Sequence, residues 1–161
     1  MSILIVLHVL AAFAFIGGLV GRDIILWQAA RAGGVQQAGA LAAAAQFFDR
    51  ILVIPGSFAV LGFGLLATWV RHFSPLGFFQ GAQTNWLLIS LLVYLSIAAL
   101  VPTIFLPKRK VFEKELEVAL AQQRMTPGLR ASFDDRAVAF ARRYELIAVT
   151  LIIVLMVARP F

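Results

Sequence analysis

The sequence predicts an all-α fold in which four helices cross a lipid bilayer in up-down order, and three observations carry that expectation. The first is composition: 61% of the 161 residues are apolar, 14% are charged, and the mean hydropathy is +0.92. A small globule in water could not hide that much apolar surface. The second is arrangement. The apolar residues gather into four runs instead of recurring at an amphipathic period, and hydrocarbon requires roughly 20 residues of helix per crossing. The third is that the basic residues crowd beside the ends of the runs, mostly on alternate connections.

The first run, Ile3 to Gly21, contains one strongly polar residue, His8, and stops at Arg22-Asp23. The second, Ile51 to Val70, follows Asp49-Arg50 and ends at Arg71-His72. Neither carries a charge, and in hydrocarbon each backbone amide must be bonded within its own segment, so both read as helices. Pro55 is expected in the first turn of the second helix, where its missing N–H costs little. The third run, Trp86 to Leu106, is introduced by Thr84-Asn85 and is expected to end at Pro107, before Lys108-Arg109-Lys110. In the fourth, residues 142–158, the purely apolar part is Leu146 to Ala158. Tyr144 and snorkelling Arg142 and Arg143 extend it at the headgroup level. A start as early as Ser132, with that serine as cap and Asp135 three residues on, would set its first turns outside the lipid.

Counting Lys and Arg gives three in Arg22 to Arg50, one in Arg71 to Asn85, nine in Lys108 to Arg143 and one at Arg159. Grouped by alternate connections that is twelve against two. The positive-inside rule then puts the first and third connections in the cytoplasm, with Met1, the Arg71-to-Asn85 loop and Phe161 outside, as in a bacterial inner membrane. Met-Ser supplies no basic segment of a signal peptide, so residues 1–20 read as a retained helix. The Ala- and Gln-rich stretch Val35 to Phe48 reads as a short surface helix. Residues 107–141 read as a helical connection, with Lys110, Glu113, Lys114 and Glu117 at helical spacing and a turn at Thr126-Pro127-Gly128. The chain is one domain without internal repeats.

Without cysteine there are no disulfides or thiolate metal sites. The net charge of +6 lies where it meets anionic headgroups, so lipid and not nucleic acid is the expected partner. No phosphate-cradling glycine loop, zinc-protease helix motif or serine elbow is present.

His8 is the most informative residue, roughly 8 Å below the start of the first helix by the helical rise. An imidazole at that depth needs a partner. It is either hydrogen-bonded across to a hydroxyl or carbonyl, or it is a haem or metal ligand. A second axial haem ligand would come from His72, at the end of the second helix, or Met156, near the end of the fourth; the plain alternative for Met156 is gap filling. Gly17, Gly18 and Gly21, with Gly62 and Gly64, form small-residue faces that allow close approach of helices within the chain, of a second copy in a homodimer, or of a planar cofactor. Arg22-Asp23 and Asp49-Arg50 can pair across one mouth of the helices, as ordinary helix-end electrostatics or as a gate.

Three stretches carry a resemblance: Leu7-His8-Val9-Leu10 with Ile16-Gly17-Gly18-Leu19; Phe48-Asp49-Arg50 leading to Ile54-Pro55-Gly56; and Asn85-Trp86-Leu87. Across essentially its whole length the chain resembles the bacterial integral membrane family known as domain of unknown function 2269, which implies four membrane helices and no established activity. The spacing from His8 to Gly18-Leu19 is also similar to that in the first helix of HemJ-type and CopD-type membrane proteins, where such a histidine is associated with haem or metal. The third run has no lysine, unlike the HemJ-type pattern, so only His8 carries over. The leading expectation is an interaction or accessory subunit. A b-type haem protein in electron transfer or porphyrin chemistry is the alternative, and a small-molecule facilitator a second one.

Overall fold

The computed structural model describes residues 3–81 and 85–158; Met1, Thr84, Arg159 and Phe161, which enter the reading of the topology, lie outside it. Every regular element in those residues is helical: α1 (Ile3–Ala30), α2 (Val35–Phe48), α3 (Ile54–Val70), α4 (Trp86–Leu100), α5 (Leu106–Ala121), α6 (Pro127–Phe133) and α7 (Arg136–Ala158). A 3-10 turn at Gly77–Gln80 lies between α3 and α4. Three stretches are long and apolar enough to cross a membrane: Ile3–Ala30, Val35–Val70 and Trp86–Ala121. The apolar part of α7 is confined to Leu146 to Ala158, behind Arg142, Arg143 and Glu145.

The boundaries correct the sequence reading in four places. First, α1 does not stop at Gly21 but runs to Ala30, because Arg22 and Asp23 are paired rather than left to end the helix. Second, α2 is not a separate surface helix. It joins α3 through a π-helical segment, Asp49–Val53, in which Ile54 N–H reaches back five residues to Asp49 C=O. Third, Pro107 does not end the third run: a matching π segment, Val101–Phe105, carries α4 into α5, with Leu106 N–H bonded to Val101 C=O. A proline, Pro55 or Pro107, stands two residues beyond each segment. A proline has no N–H and its ring crowds the carbonyl one turn back, so a local widening lets the helix continue past it. Fourth, α7 starts at Arg136 with Asp135 as its cap, accepting from Ala137 N–H at 2.9 Å and Val138 N–H at 3.2 Å. Ser132 belongs to α6, where its hydroxyl donates to Gly128 C=O.

α1 and α3 are antiparallel and their backbones nearly touch. A methyl group on Gly56 would lie 3.1 Å from the Phe15 backbone, one on Gly18 2.8 Å from Leu52 Cβ, and one on Gly21 2.6 Å from the Phe48 ring. α4 and α7 are joined by hydroxyls, with Ser96 Oγ 2.6 Å from Tyr144 Oη. Tyr94 Oη donates to Ser57 C=O and ties α4 to α3. Between the two pairs lies an apolar core of Phe15, Leu19, Val53, Ile97, Ala148 and Val149. A second core, Val35, Ala119 and Leu129 with Phe112 and Phe133 against it, unites α2, α5 and α6. α3 and α5 end in left-handed residues, His72 at φ 55° and Gln123 at φ 52°. In both, the next N–H reaches back five residues, Phe73 to Thr68 and Arg124 to Ala119, which is the Schellman closure of a helix end.

Candidate functional site: an ion node joining four helical rods

Arg22 leaves α1 about 21 Å along the helix from His8, by the rise over fourteen residues. Its side chain is 8% exposed and donates in three directions: Nε to Asp23 Oδ1 at 3.1 Å, Nη1 to Asp49 Oδ1 at 3.4 Å, and Nη2 to Glu145 Oε2 at 2.7 Å. The guanidinium also lies over the Phe105 ring, 5.7 Å from its centroid. Those partners stand on α1, the first π segment, α7 and the second π segment, so one side chain touches all four rods. Arg142 Nε, 3.8 Å from Asp23 Oδ1, completes the node as two guanidinia among three carboxylates.

The chemistry of this arrangement is positional. A planar guanidinium with five fixed donors can satisfy several carboxylates at once, which an ammonium cannot. Burial makes each pairing stronger and makes any unpaired member costly. Among the described residues no buried side-chain nitrogen or oxygen lacks a partner. The π segments place Asp49 and Phe105 at the depth of Arg22, and that places the two prolines as well.

A second tie lies beyond the node, where Lys108 Nζ donates to Asp135 Oδ2 at 2.7 Å. Hydrogen bonds from Lys108 and from the first turn of α7 hold the Asp135 carboxyl below the usual carboxylate range. There, a carboxylate complements the positive end of the helix dipole.

His8 is half-buried on α1, and its Nδ1 lies 2.9 Å from Val60 C=O on α3. A carbonyl only accepts, so Nδ1 carries the proton and, in the neutral ring, Nε2 is left as an acceptor. Gly64 makes room for the ring: a methyl group there would be 3.1 Å from His8 Cε1. Gly18, Gly21 and Gly64 therefore face neighbouring helices. At Gly17 and Gly62 a methyl group would meet nothing within 4 Å, so they take no part in packing inside the chain. His72 is exposed at the end of α3, on the rim of an open cavity that Trp69 and Gln80 also line. Met156 is partly buried on α7. No hydrogen bond or electrostatic interaction joins His8 to His72 or Met156 among the described residues. No group of three or more His, Asp or Glu is arranged to hold a metal in those residues.

Glu145, the shortest contact of Arg22, does not stand out in the sequence, because it sits between Tyr144 and the apolar run and looks like an ordinary helix-end charge. The available signal was one acid bordering an apolar run at the depth where another run carries an arginine. Gly56, where α3 comes closest to the Phe15 backbone of α1, likewise stands in the sequence only as part of Ile54-Pro55-Gly56.

Long apolar rods held together by a shared internal ion node define a polytopic integral membrane protein. The chain belongs to the family described as predicted integral membrane protein, DUF2269, which matches residues 2–160. Comparisons with curated proteins and with solved structures found no match.

Proposed function

We propose that this chain is an up-down four-helix bundle of the bacterial inner membrane, with both termini on the outer side, that acts as an interaction or accessory subunit. The observation that carries the reading is the continuity of two rods past the ion node. α2 and α5 extend beyond it by about 21 and 24 Å at the helical rise and form, with α6, a separate helical layer that has its own apolar core. Twelve of the fourteen Lys and Arg residues fall on the connections at that end, which supports a cytoplasmic location. Polar groups at the node are committed to one another, so the surfaces this layer offers to a partner are its free chemistry.

The test is purification in mild detergent. A larger membrane or cytoplasmic partner should co-migrate in fixed ratio and be lost when Ala119, which is 0% exposed, is changed to Arg. A monodisperse chain without a partner would sink the reading. Topology is checked separately with single cysteines at Gln123 and Phe79, free of background because the native chain has none. A membrane-impermeant thiol reagent added to intact cells should reach Phe79→Cys and not Gln123→Cys.

A second reading, a b-type haem protein, is favoured by one geometric fact. The His8 Nδ1–H bond to Val60 C=O orients the ring and leaves Nε2 as the donor atom for a metal, the arrangement usual for ligating histidines. His8 would hold the iron, and the haem would supply one-electron transfer. Protein from haem-replete cells should show a Soret band that disappears in His8→Ala; a flat spectrum in the wild type removes this reading.

A further inference from the structure

Beyond the ion node, α1 remains apolar and exposed: Ile24 is 53% and Trp27 57% accessible. Trp27 lies about 7.5 Å past Arg22 by the helical rise, where an indole marks the boundary between hydrocarbon and headgroups. The Arg31 guanidinium turns back over it, 3.6 Å from the ring centroid, and is thereby held at headgroup depth. Stacking uses the face of the guanidinium and leaves its edge of N–H donors unspent.

Beside it opens a cavity of about 220 Å³ between the end of α1 and α6, lined by Arg31 and Arg130, the apolar side chains of Met125 and Phe133, and Asp134. The side chains of Arg31, Arg130 and Asp134 have no hydrogen-bonding or ion-pair partner among the described residues. Two arginines with unspent guanidinium donors, both lining one small, partly apolar space, fit a phosphate oxygen pair, for which forked recognition is suited. The apolar walls suit the carbon adjoining a phosphodiester.

We propose that this cavity is a phosphate-group site, with Arg31 and Arg130 as ligands and the phosphodiester headgroup of an anionic phospholipid as occupant. Asp134 opposes the anion and sets the strength of binding. The inference does not depend on the accessory-subunit reading or on which face of the membrane this end occupies.

The full chain, purified in neutral detergent, is titrated with phosphatidylglycerol, phosphatidylcholine or inorganic phosphate, and bound adducts are counted by native mass spectrometry. Phosphatidylglycerol should bind, and Arg31→Gln or Arg130→Gln should weaken it about tenfold or more, as expected for loss of a charged hydrogen bond. Asp134→Asn should tighten it. Arg124→Gln, which removes the same charge from another exposed position on this layer, should leave it unchanged. Equal weakening in Arg124→Gln would reduce the site to diffuse attraction and overturn it, as would equal binding of phosphatidylcholine. Inorganic phosphate binding as tightly as phosphatidylglycerol, with the same arginine dependence, would overturn the lipid as occupant.

Discussion

The two ends of α1 are held to their neighbours by opposite means. From His8 to Gly18 the helix lies against α3 and the end of the π segment before it along a seam without charge, with Phe15 on Gly56 and Gly18 on Leu52 and Val53. At Arg22 the same helix enters a knot of five charged side chains that reaches all four rods. The difference follows from the solvent. Between helices in lipid, apolar contact gains nothing over contact with acyl chains, so a pair associates by close backbone approach or by polar bonds. Glycine makes a seam between two helices; a forked cation joins more than two.

The largest effect should come from breaking the knot. Arg22→Leu leaves buried Glu145 and half-buried Asp49 without their cation and should cost about 3–5 kcal/mol, as for other buried pairs stripped of one partner. The measurement is reversible unfolding in mixed micelles. Arg22→Leu combined with Glu145→Leu should recover a large part of that loss, since an apolar pair replaces an ionic one. No recovery would mean that the two side chains act independently.

Breaking the seam should cost less. Gly56→Ala puts a methyl group 3.1 Å from backbone atoms of Phe15, which cannot turn aside, and should cost about 1–3 kcal/mol by overpacking. Gly17→Ala meets nothing within 4 Å and should leave the unfolding midpoint unchanged or slightly raised. Equal losses at the two positions would show that the seam is not where α1 meets α3.

Smaller effects lie at the far ends of the two regions. His72→Gly relieves a left-handed backbone at the end of α3 and should stabilise the chain by roughly 1 kcal/mol. A loss would instead give the imidazole a role beyond capping. At Asp135 the folded carboxyl titrates below its usual range, so its contribution is present above the unfolded value and lost as pH falls through the folded one. Acidification below about pH 4, the ordinary range of a free carboxyl, should therefore weaken the wild type. Asp135→Asn should lack that component of the acid sensitivity, and an unchanged acid profile in the variant would refute the assignment.

The helices and the membrane were legible because the bilayer acts on each segment separately: length, hydropathy and flanking charge are local properties. The helix limits differ from that expectation at Gly21, at Pro107, at Ser132 and at the junction of α2 with α3, each expected from residues that start or stop helices in isolation. At Pro107 and Pro55 the helix widens and continues. At Arg22 the charges find partners on other rods.

His8 shows the boundary of what sequence can decide. Its depth and its need for a partner were evident from the apolar run around it. That the partner is Val60 C=O, over the gap left by Gly64, required α3 to lie antiparallel at one particular register. The sequence by itself determined where the apolar segments lie and where charge interrupts them. Only the tertiary structure decided that Arg22, Asp49, Phe105 and Glu145 meet, because pairing depends on helix register and on two π segments. No local pattern encodes that: hydrocarbon rewards a paired charge wherever its partner lies along the chain.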